Sequence, residues 1–478
     1  MGGVYWGDRG RGHCMKEIPV SSARKPKWLW LLAAACVLLV LVAILLPRPG
    51  SSPTNPDTGG SAADLRGGGP SGVGRTASAG RHHSATGPNA TPEEIVAYKL
   101  QQFSHSRREL ARRLAEHFKV GLSPDVERFF DLVDAGNWEN LRTQFATLKK
   151  LRQSEASPEG LQKIWPAIME AYGVAEVAHE WPAQRLLAYG EAVLGSLRPG
   201  MVYVGGTDPG RFIPTLLNET SEGERHIVIT QNAFADSTYL DYARFQYSDQ
   251  LAALSSADSQ SAFQTYLADA QKRALHDQQF PNEPKQLRPG EDVKVTDGRV
   301  QVSGQVAVMT INEKLLQMLM EKNPETSFAI EQSFAFKSMY GDTSPLGPVM
   351  ELRAGDENAL TSERATQSSD YWRTTMQQLA SDLETPIGSD PRKAYAKLAA
   401  EQAALLRDRN FPTQAEQIYQ YSIELNPTTP ESVFGYVQLL IDQKRNADAL
   451  RVAQTAANAA PENKQMADLA ERLRQLSH

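Results

Sequence analysis

Residues 415–461 read AEQIYQYSIELNPTTPESVFGYVQLLIDQKRNADALRVAQTAANAAP, and their internal period decides the architecture of the C-terminal end. Ala415, Tyr419 and Pro427 recur 34 residues later as Ala449, Ala453 and Pro461. A small residue, a bulky residue four positions on and a terminal proline mark the second helix of a helix–turn–helix unit that stacks on copies of itself. Ala453 is small where Tyr419 is bulky, which is the one departure from the pattern. Two such units are expected, beginning at Tyr395-Ala396 and at Pro430. Lys464 to Leu476 then supplies an amphipathic helix to cover the open end. Two units and a cap fall short of the three that usually stand alone, so they are expected to lean on the chain before them.

This spacing resembles the tetratricopeptide repeat. The resemblance implies an α-solenoid over residues 391–478 whose concave face binds a protein partner, with Ala415, Tyr419, Pro427, Ala449 and Pro461 as structural signature residues.

Upstream, residues 199–355 change character. Met201 to Val204 is a short apolar strand, Gly205-Gly206-Thr207-Asp208-Pro209-Gly210 a turn, Arg211 to Leu217 a helix start, and His226 to Thr230 a second strand. Strand, glycine turn, helix and strand make one βαβ unit with a parallel pair. Val293–Val295 and Val300–Met309 read as a hairpin-like pair, Ile311–Glu321 as a helix, and Ser327–Phe334 and Pro348–Leu352 as strands. Residues 91–198 read as helices, with starts at Thr91-Pro92-Glu93-Glu94, Ser123-Pro124, Ser157-Pro158 and Trp181-Pro182. Residues 356–390 connect the α/β section to the repeats and carry one helix, Ser368 to Leu383.

The N-terminal end is of another kind. Trp28 to Leu46 (WLWLLAAACVLLVLVAILL) is an uncharged apolar run, long enough as a helix to span a bilayer core of about 30 Å. Arg9, Arg11, Lys16, Arg24, Lys25 and Lys27 precede it, so residues 1–27 are expected to stay cytoplasmic and the body to be exported. Residues 47–90, rich in Gly, Ser and Pro, form a tether with no aromatic residue. Cys36 reads as membrane filler, and a lipoprotein cysteine is the other reading. The expected fold class is therefore mixed, α+β with α/β. It comprises a single transmembrane helix, a helical region, a small α/β domain and C-terminal repeats. The expected location is the inner membrane, single-pass, with the body periplasmic.

Charge divides along the chain, +5 over residues 1–50, +1 over 51–90 and about −12 over the rest. An acidic body argues against nucleic acid as a partner. The two cysteines, Cys14 and Cys36, exclude a disulfide framework and a thiolate zinc site. The nine histidines form no HExxH pair, and the chain has no G-x-S-x-G and no Asp-x-Asp. No catalytic constellation, cofactor or metal site is expected, and an enzyme is the lesser reading.

The candidate ligand-binding residues are Gly205, Gly206, Thr207, Asp208, Gly210, Arg211, Tyr239 and Tyr242. A glycine turn entering a helix aims free N–H groups and a positive dipole end at an anion. Asp208 would cap that helix or face a ligand, and Arg211 would balance an anion or sit at the surface. Tyr239 and Tyr242, within the cluster Tyr239 to Tyr247, would stack on a sugar or face the core.

Three stretches, 196–217 (SLRPGMVYVGGTDPGRFIPTLL), 226–242 (HIVITQNAFADSTYLDY) and 323–353 (NPETSFAIEQSFAFKSMYGDTSPLGPVMELR), resemble the soluble region of bacterial protein-O-mannosyltransferase-like membrane proteins. The multi-span part that would transfer sugar from a lipid carrier is missing. The resemblance therefore implies an accessory or recognition module, with Asp208 in the family's acidic turn. Two functions follow: a membrane-anchored assembly factor that binds a protein through its repeats, or an accessory protein binding a sugar or lipid-linked phosphate in envelope glycosylation.

Overall fold

The computed structural model describes residues 90–154, 157–206, 208–288, 290–296, 299–331, 343–352 and 360–476. The basic tail 1–27, the apolar run Trp28–Leu46 and the tether up to residue 89 lie outside the described residues, as does Thr207.

Five helices come first: α1 Pro92–His117, α2 Pro124–Asp134, α3 Trp138–Arg152, α4 Glu159–Glu180 and α5 Ala183–Leu194. The start of α1 follows from its sequence. The Glu94 N–H donates to the Thr91 hydroxyl, the Thr91 N–H donates to the Glu94 carboxylate, and Pro92 sits where no intrahelical donor is needed. Between α2 and α3, Gly136 adopts φ +60 and Asn137 caps the next helix, so the chain reverses. Helix α4 is the spine. From Ile164 to Val177 nearly every residue is buried, and α1, α2, α3, α5, α6 and α7 pack around it. A helix apolar on all sides has to be surrounded.

The sheet follows. Strand β1 is Val202–Gly205, α6 Pro209–Glu219, β2 Ile227–Thr230, α7 Ser237–Tyr247 and α8 Ser256–Gln279. Next come the hairpin β3 Asp292–Thr296 and β4 Arg299–Ser303, α9 Gln305–Lys322, β5 Phe328–Ile330, β6 Thr343–Leu346 and β7 Val349–Leu352. The strand order is β2-β1-β5-β7-β6, with β1 parallel to both β2 and β5 and the remaining pairs antiparallel. The hairpin β3–β4 forms its own two-stranded sheet. The strand expected to run to Met309 stops at Ser303, because Gly304 takes φ +93 and turns the chain. Ala307, Ile311, Leu315 and Leu319 then fall at helical spacing and bury one face of α9.

Helices α10 Ser362–Ala380, α11 Asp390–Asp408, α12 Pro412–Leu425, α13 Pro430–Asp442, α14 Asn446–Ala459 and α15 Lys464–Leu476 complete the described chain.

The structure corrects the expected fold class. Among the described residues fifteen α-helices surround strands of only three to five residues, so the protein is mostly helical with a small sheet. The sheet is no free-standing α/β domain, because α4 and α5 from the preceding helical region pack on α6 and share one continuous core with it. The single-pass inner-membrane location is not supported, and the run Trp28–Leu46 expected as a transmembrane helix lies outside the described residues. No helix among the described residues is long and apolar enough to cross a membrane.

Helix α4 holds one titratable group whose position has a measurable consequence. Burial, with Glu180 one turn away, pushes the Glu176 carboxyl up to about 8 from its ordinary 4.5, against the hydrogen bond from Tyr172. The folded chain therefore holds a proton that the unfolded chain releases between those values. The associated stability is fully present below about pH 4.5 and is lost as pH rises toward 8. Glu176→Gln should raise stability at pH 8 by about 4 kcal/mol and leave it nearly unchanged at pH 4.5. Denaturant midpoints across this range test it; equal shifts at both ends would defeat the argument.

Candidate functional site

The C-terminal ends of β1 and β5 meet where their connections part. The chain leaves β1 through α6 toward β2, and leaves β5 toward the antiparallel strands on the other side. Ligands of open α/β sheets bind at such a point. Here the space is taken by the protein itself. The Gly206 N–H donates to the Glu331 carboxylate at 2.8 Å, and Glu331 is 3% exposed. A Cβ on Gly210 would run into that same carboxylate, and one on Gly205 would meet the Arg211 Cβ at 2.7 Å. The Tyr203 hydroxyl donates to the Gly210 carbonyl at 2.8 Å. The glycines are thus required by close approach, and the carboxylate packed against the start of α6 is internal.

Asp208 stands at the cap position of α6 but its side chain makes no capping hydrogen bond. It accepts instead from Lys397 Nζ at 2.7 Å, which joins the sheet edge to α11 across 189 positions of sequence. Burial alone would lower the Lys397 pKa, but Asp208, Glu331 and Glu431 hold it above its ordinary value.

The remaining candidates point inward. Arg211 is buried, pairs with Glu170 at 3.2 Å and lies over the Phe212 ring at 4.6 Å. Glu170 also takes Arg107 Nε at 2.9 Å and the Tyr242 hydroxyl at 2.6 Å, while Arg107 reaches Glu219 at 3.3 Å. Burial would lower the Arg107 pKa, but Tyr242, Glu170 and Glu219 raise it beyond its ordinary value. The Tyr239 hydroxyl accepts from the Thr230 N–H at 2.8 Å. Arg211 and Tyr242 therefore meet on one buried carboxylate, Tyr239 closes the end of β2, and Gly205, Gly206, Asp208 and Gly210 cluster at the sheet edge. Glu170, Arg107, Glu331 and Lys397 were not expected from sequence. Each is drawn in by the fold from a different element, and no local pattern marks it.

The repeats are built as their spacing predicts. Helices α11 and α12 form one unit, α13 and α14 the next, and α15 packs on α14. Ala415, Tyr419, Ala449 and Ala453 are buried, Pro427 is half-buried and Pro461 exposed. Tyr419 stacks on Tyr436 with ring centroids 5.9 Å apart and lies across Gly435, where a Cβ would come within 2.7 Å of the ring. Helix α10 covers α12 from the other side, with the Ser369 hydroxyl donating to Gln417 at 2.7 Å. Two units thus lean on α10 and on the sheet.

The seam with the sheet centres on Gln402. Its Nε2 donates to the Gly347 and Val349 carbonyls, both at 2.8 Å. Its Oε1 accepts from the Ser368 hydroxyl at 2.7 Å and the Trp372 indole at 2.9 Å. Beside it, Arg185 of α5 pairs with Asp382 at 2.7 Å, and Tyr189 meets Tyr395 edge-on at 5.0 Å.

One face of the repeats stays open. On α13, Val433, Tyr436, Val437 and Leu440 are buried, whereas Glu431, Phe434, Gln438 and Asp442 keep exposed surface at spacings of three and four. On α11, Lys393, Lys397, Ala404 and Asp408 do the same. The influence of Glu431 on Lys397 places the start of α13 beside α11 on this face.

Neither a curated protein nor a solved structure matches the chain. Residues 406–473 match the tetratricopeptide repeat family, which supports a protein-interaction role for this end of the protein.

Proposed function

We propose that residues 391–478 bind an extended or helical segment of a protein partner along the open face of α11 and α13, and that the protein acts as an assembly factor. The match over residues 406–473 carries this reading. The arrangement of the face supports it: Phe434 is an apolar anchor, and Lys397, Glu431, Gln438 and Asp442 are polar groups beside it. Such a face binds without chemistry, so affinity and partner choice are its output.

The test is a pull-down with the full chain, comparing native protein with Phe434→Asp and Gln438→Lys. Loss of a defined partner, or at least about tenfold weaker binding, is expected from truncating a central anchor while the circular dichroism spectrum is kept. A partner retained at native affinity by both variants would overturn the reading.

A further inference from the structure

A fixed loop between α10 and α11 holds two large aliphatic side chains in water. Leu383 is 98% exposed and Ile387 64% exposed. This exposure does not come from a slack chain. Thr385, between them, is fully buried, and its hydroxyl donates to the Asp382 carboxylate at 2.9 Å. Asp382 also accepts from the Glu384 N–H at 3.0 Å and pairs with Arg185 of α5 at 2.7 Å. Arg392 fixes the other end by donating to the Leu379 carbonyl at 2.8 Å. The loop is ordered before any contact is made, so a surface that covers the two side chains meets them preorganised.

A hole of matching character lies beside this loop. Between α1, the α2–α3 turn and the C-terminal end of α4 there is a cleft of about 390 Å³, room for a small ligand or a few side chains. Val96 and Leu100 of α1, Leu141 of α3 and Trp138 line it. Trp138 stacks on Tyr172 and His179, with centroids 5.6 and 5.0 Å away, so one wall is a rigid aromatic plate. The α4–α5 junction joins hole and loop. Trp181, Pro182 and Ala183 line the cleft, and Arg185, two residues on, holds Asp382. Glu180, on the other side of Trp181, lies within the influence of Asp390 and Lys393 at the start of α11. Leu383 does not fill the cleft of its own chain, since it is almost wholly exposed.

We propose that Leu383 and Ile387 of one chain enter this cleft on a second copy, and that the second copy returns the contact about a two-fold axis. An apolar knob beside an apolar hole is self-complementary, which is what a closed two-fold interface requires. One association then covers the knobs of both chains and fills both clefts. Charge opposes the contact: Glu384 flanks the knob, Glu93 lines the cleft, and the chain beyond residue 90 carries about −12. Apolar burial is therefore what drives it. No residue from 390 to 476 lines the cleft, so the dimer keeps two open repeat faces.

The test mixes two full-length proteins, each carrying Cys14→Ser, Cys36→Ser and one new thiol, with a short thiol-to-thiol maleimide linker. Glu384→Cys puts one thiol beside the knob and leaves both aliphatic side chains in place. Ala97→Cys puts the other at the cleft, on an exposed position of α1. On a denaturing gel this pair should give at least about tenfold more covalent dimer than Glu384→Cys mixed with Glu462→Cys, an exposed position on the repeats. Leu383→Asp with Ile387→Asp in both proteins should reduce the yield to that of the control pair, and these exposed positions leave the core untouched. Raising NaCl from about 0.05 to about 0.5 M should hold or increase the yield, since it screens two acidic faces. One chain carrying both thiols should stop at the dimer. Phe434→Asp should change nothing, so failure here and failure of the repeat surface are separable. A yield equal to the control pair, a yield that survives both aspartates or falls with salt, or a ladder of longer products overturns the proposal.

Discussion

Gln402→Leu should destabilise the protein by about 4 kcal/mol, although leucine is close to glutamine in volume. The Gln402 side chain is fully buried, and its amide uses both donors and both acceptor sites. Leucine would leave a hydroxyl, an indole N–H and two carbonyls without partners in a region that water does not reach. Each stranded group costs about 1–3 kcal/mol, and because all four share one hub their sum is less than additive. The loss falls on the seam between the repeats and the sheet, so the repeats should loosen from β6 and β7 before the core opens. Urea denaturation should show the lower midpoint, and limited proteolysis should cut first near residues 381–389. A loss below about 1 kcal/mol would mean that the seam is held by apolar packing and that the amide is incidental.

Glu170→Leu should cost as much or more. Its carboxylate sits between two guanidinium groups, Arg107 and Arg211, whose side chains are 2% and 4% exposed. Removing the shared anion leaves two buried cations facing one another, with Glu219 the carboxylate still paired to Arg107 and, among the described residues, none paired to Arg211. Breaking a buried pair from one side typically costs about 3–5 kcal/mol. The Tyr242 hydroxyl also loses its acceptor. Replacing the whole cluster differs from breaking it. Glu170→Leu combined with Arg107→Met and Arg211→Met should recover part of the stability, because uncharged side chains of similar length remove the buried cations, while Glu219 loses its Arg107 partner. If the triple variant is no more stable than the single one, the residues serve chiefly by shape and hydrogen bonding. Chemical denaturation of the three proteins decides it.

The same residues show how far a sequence can be read. Capping signals were legible where they act locally: Thr91 with Glu94, and the proline starts of α1, α2 and α6. The 34-residue period located both helix pairs and the buried faces of α12 and α14, since a repeat buries the same positions each time. The βαβ unit from β1 to β2 was legible as well. The start of α9 was read as strand because Val300 to Val308 alternates plausibly, and only Gly304 at positive φ separates hairpin from helix. The glycine turn was recognised as a place where an anion belongs. That Glu331 lies against it could not be read, because 125 positions separate Gly206 from Glu331 and only strand pairing brings them together.

By itself, then, the sequence determined what depends on neighbours along the chain: helix starts, repeat period, strand alternation, the apolar run at Trp28–Leu46 and the split of charge. The tertiary structure alone decided which charges are buried together, which face of each helix is covered, and that a small sheet is embedded in a helical body. Lys397 shows the difference. On α11 it is one more polar residue on an amphipathic helix, and it becomes the tie between repeats and sheet only when Asp208 arrives at 2.7 Å. Periodicity acts through the backbone over three or four residues, whereas pairing of buried charges depends on where distant elements pack.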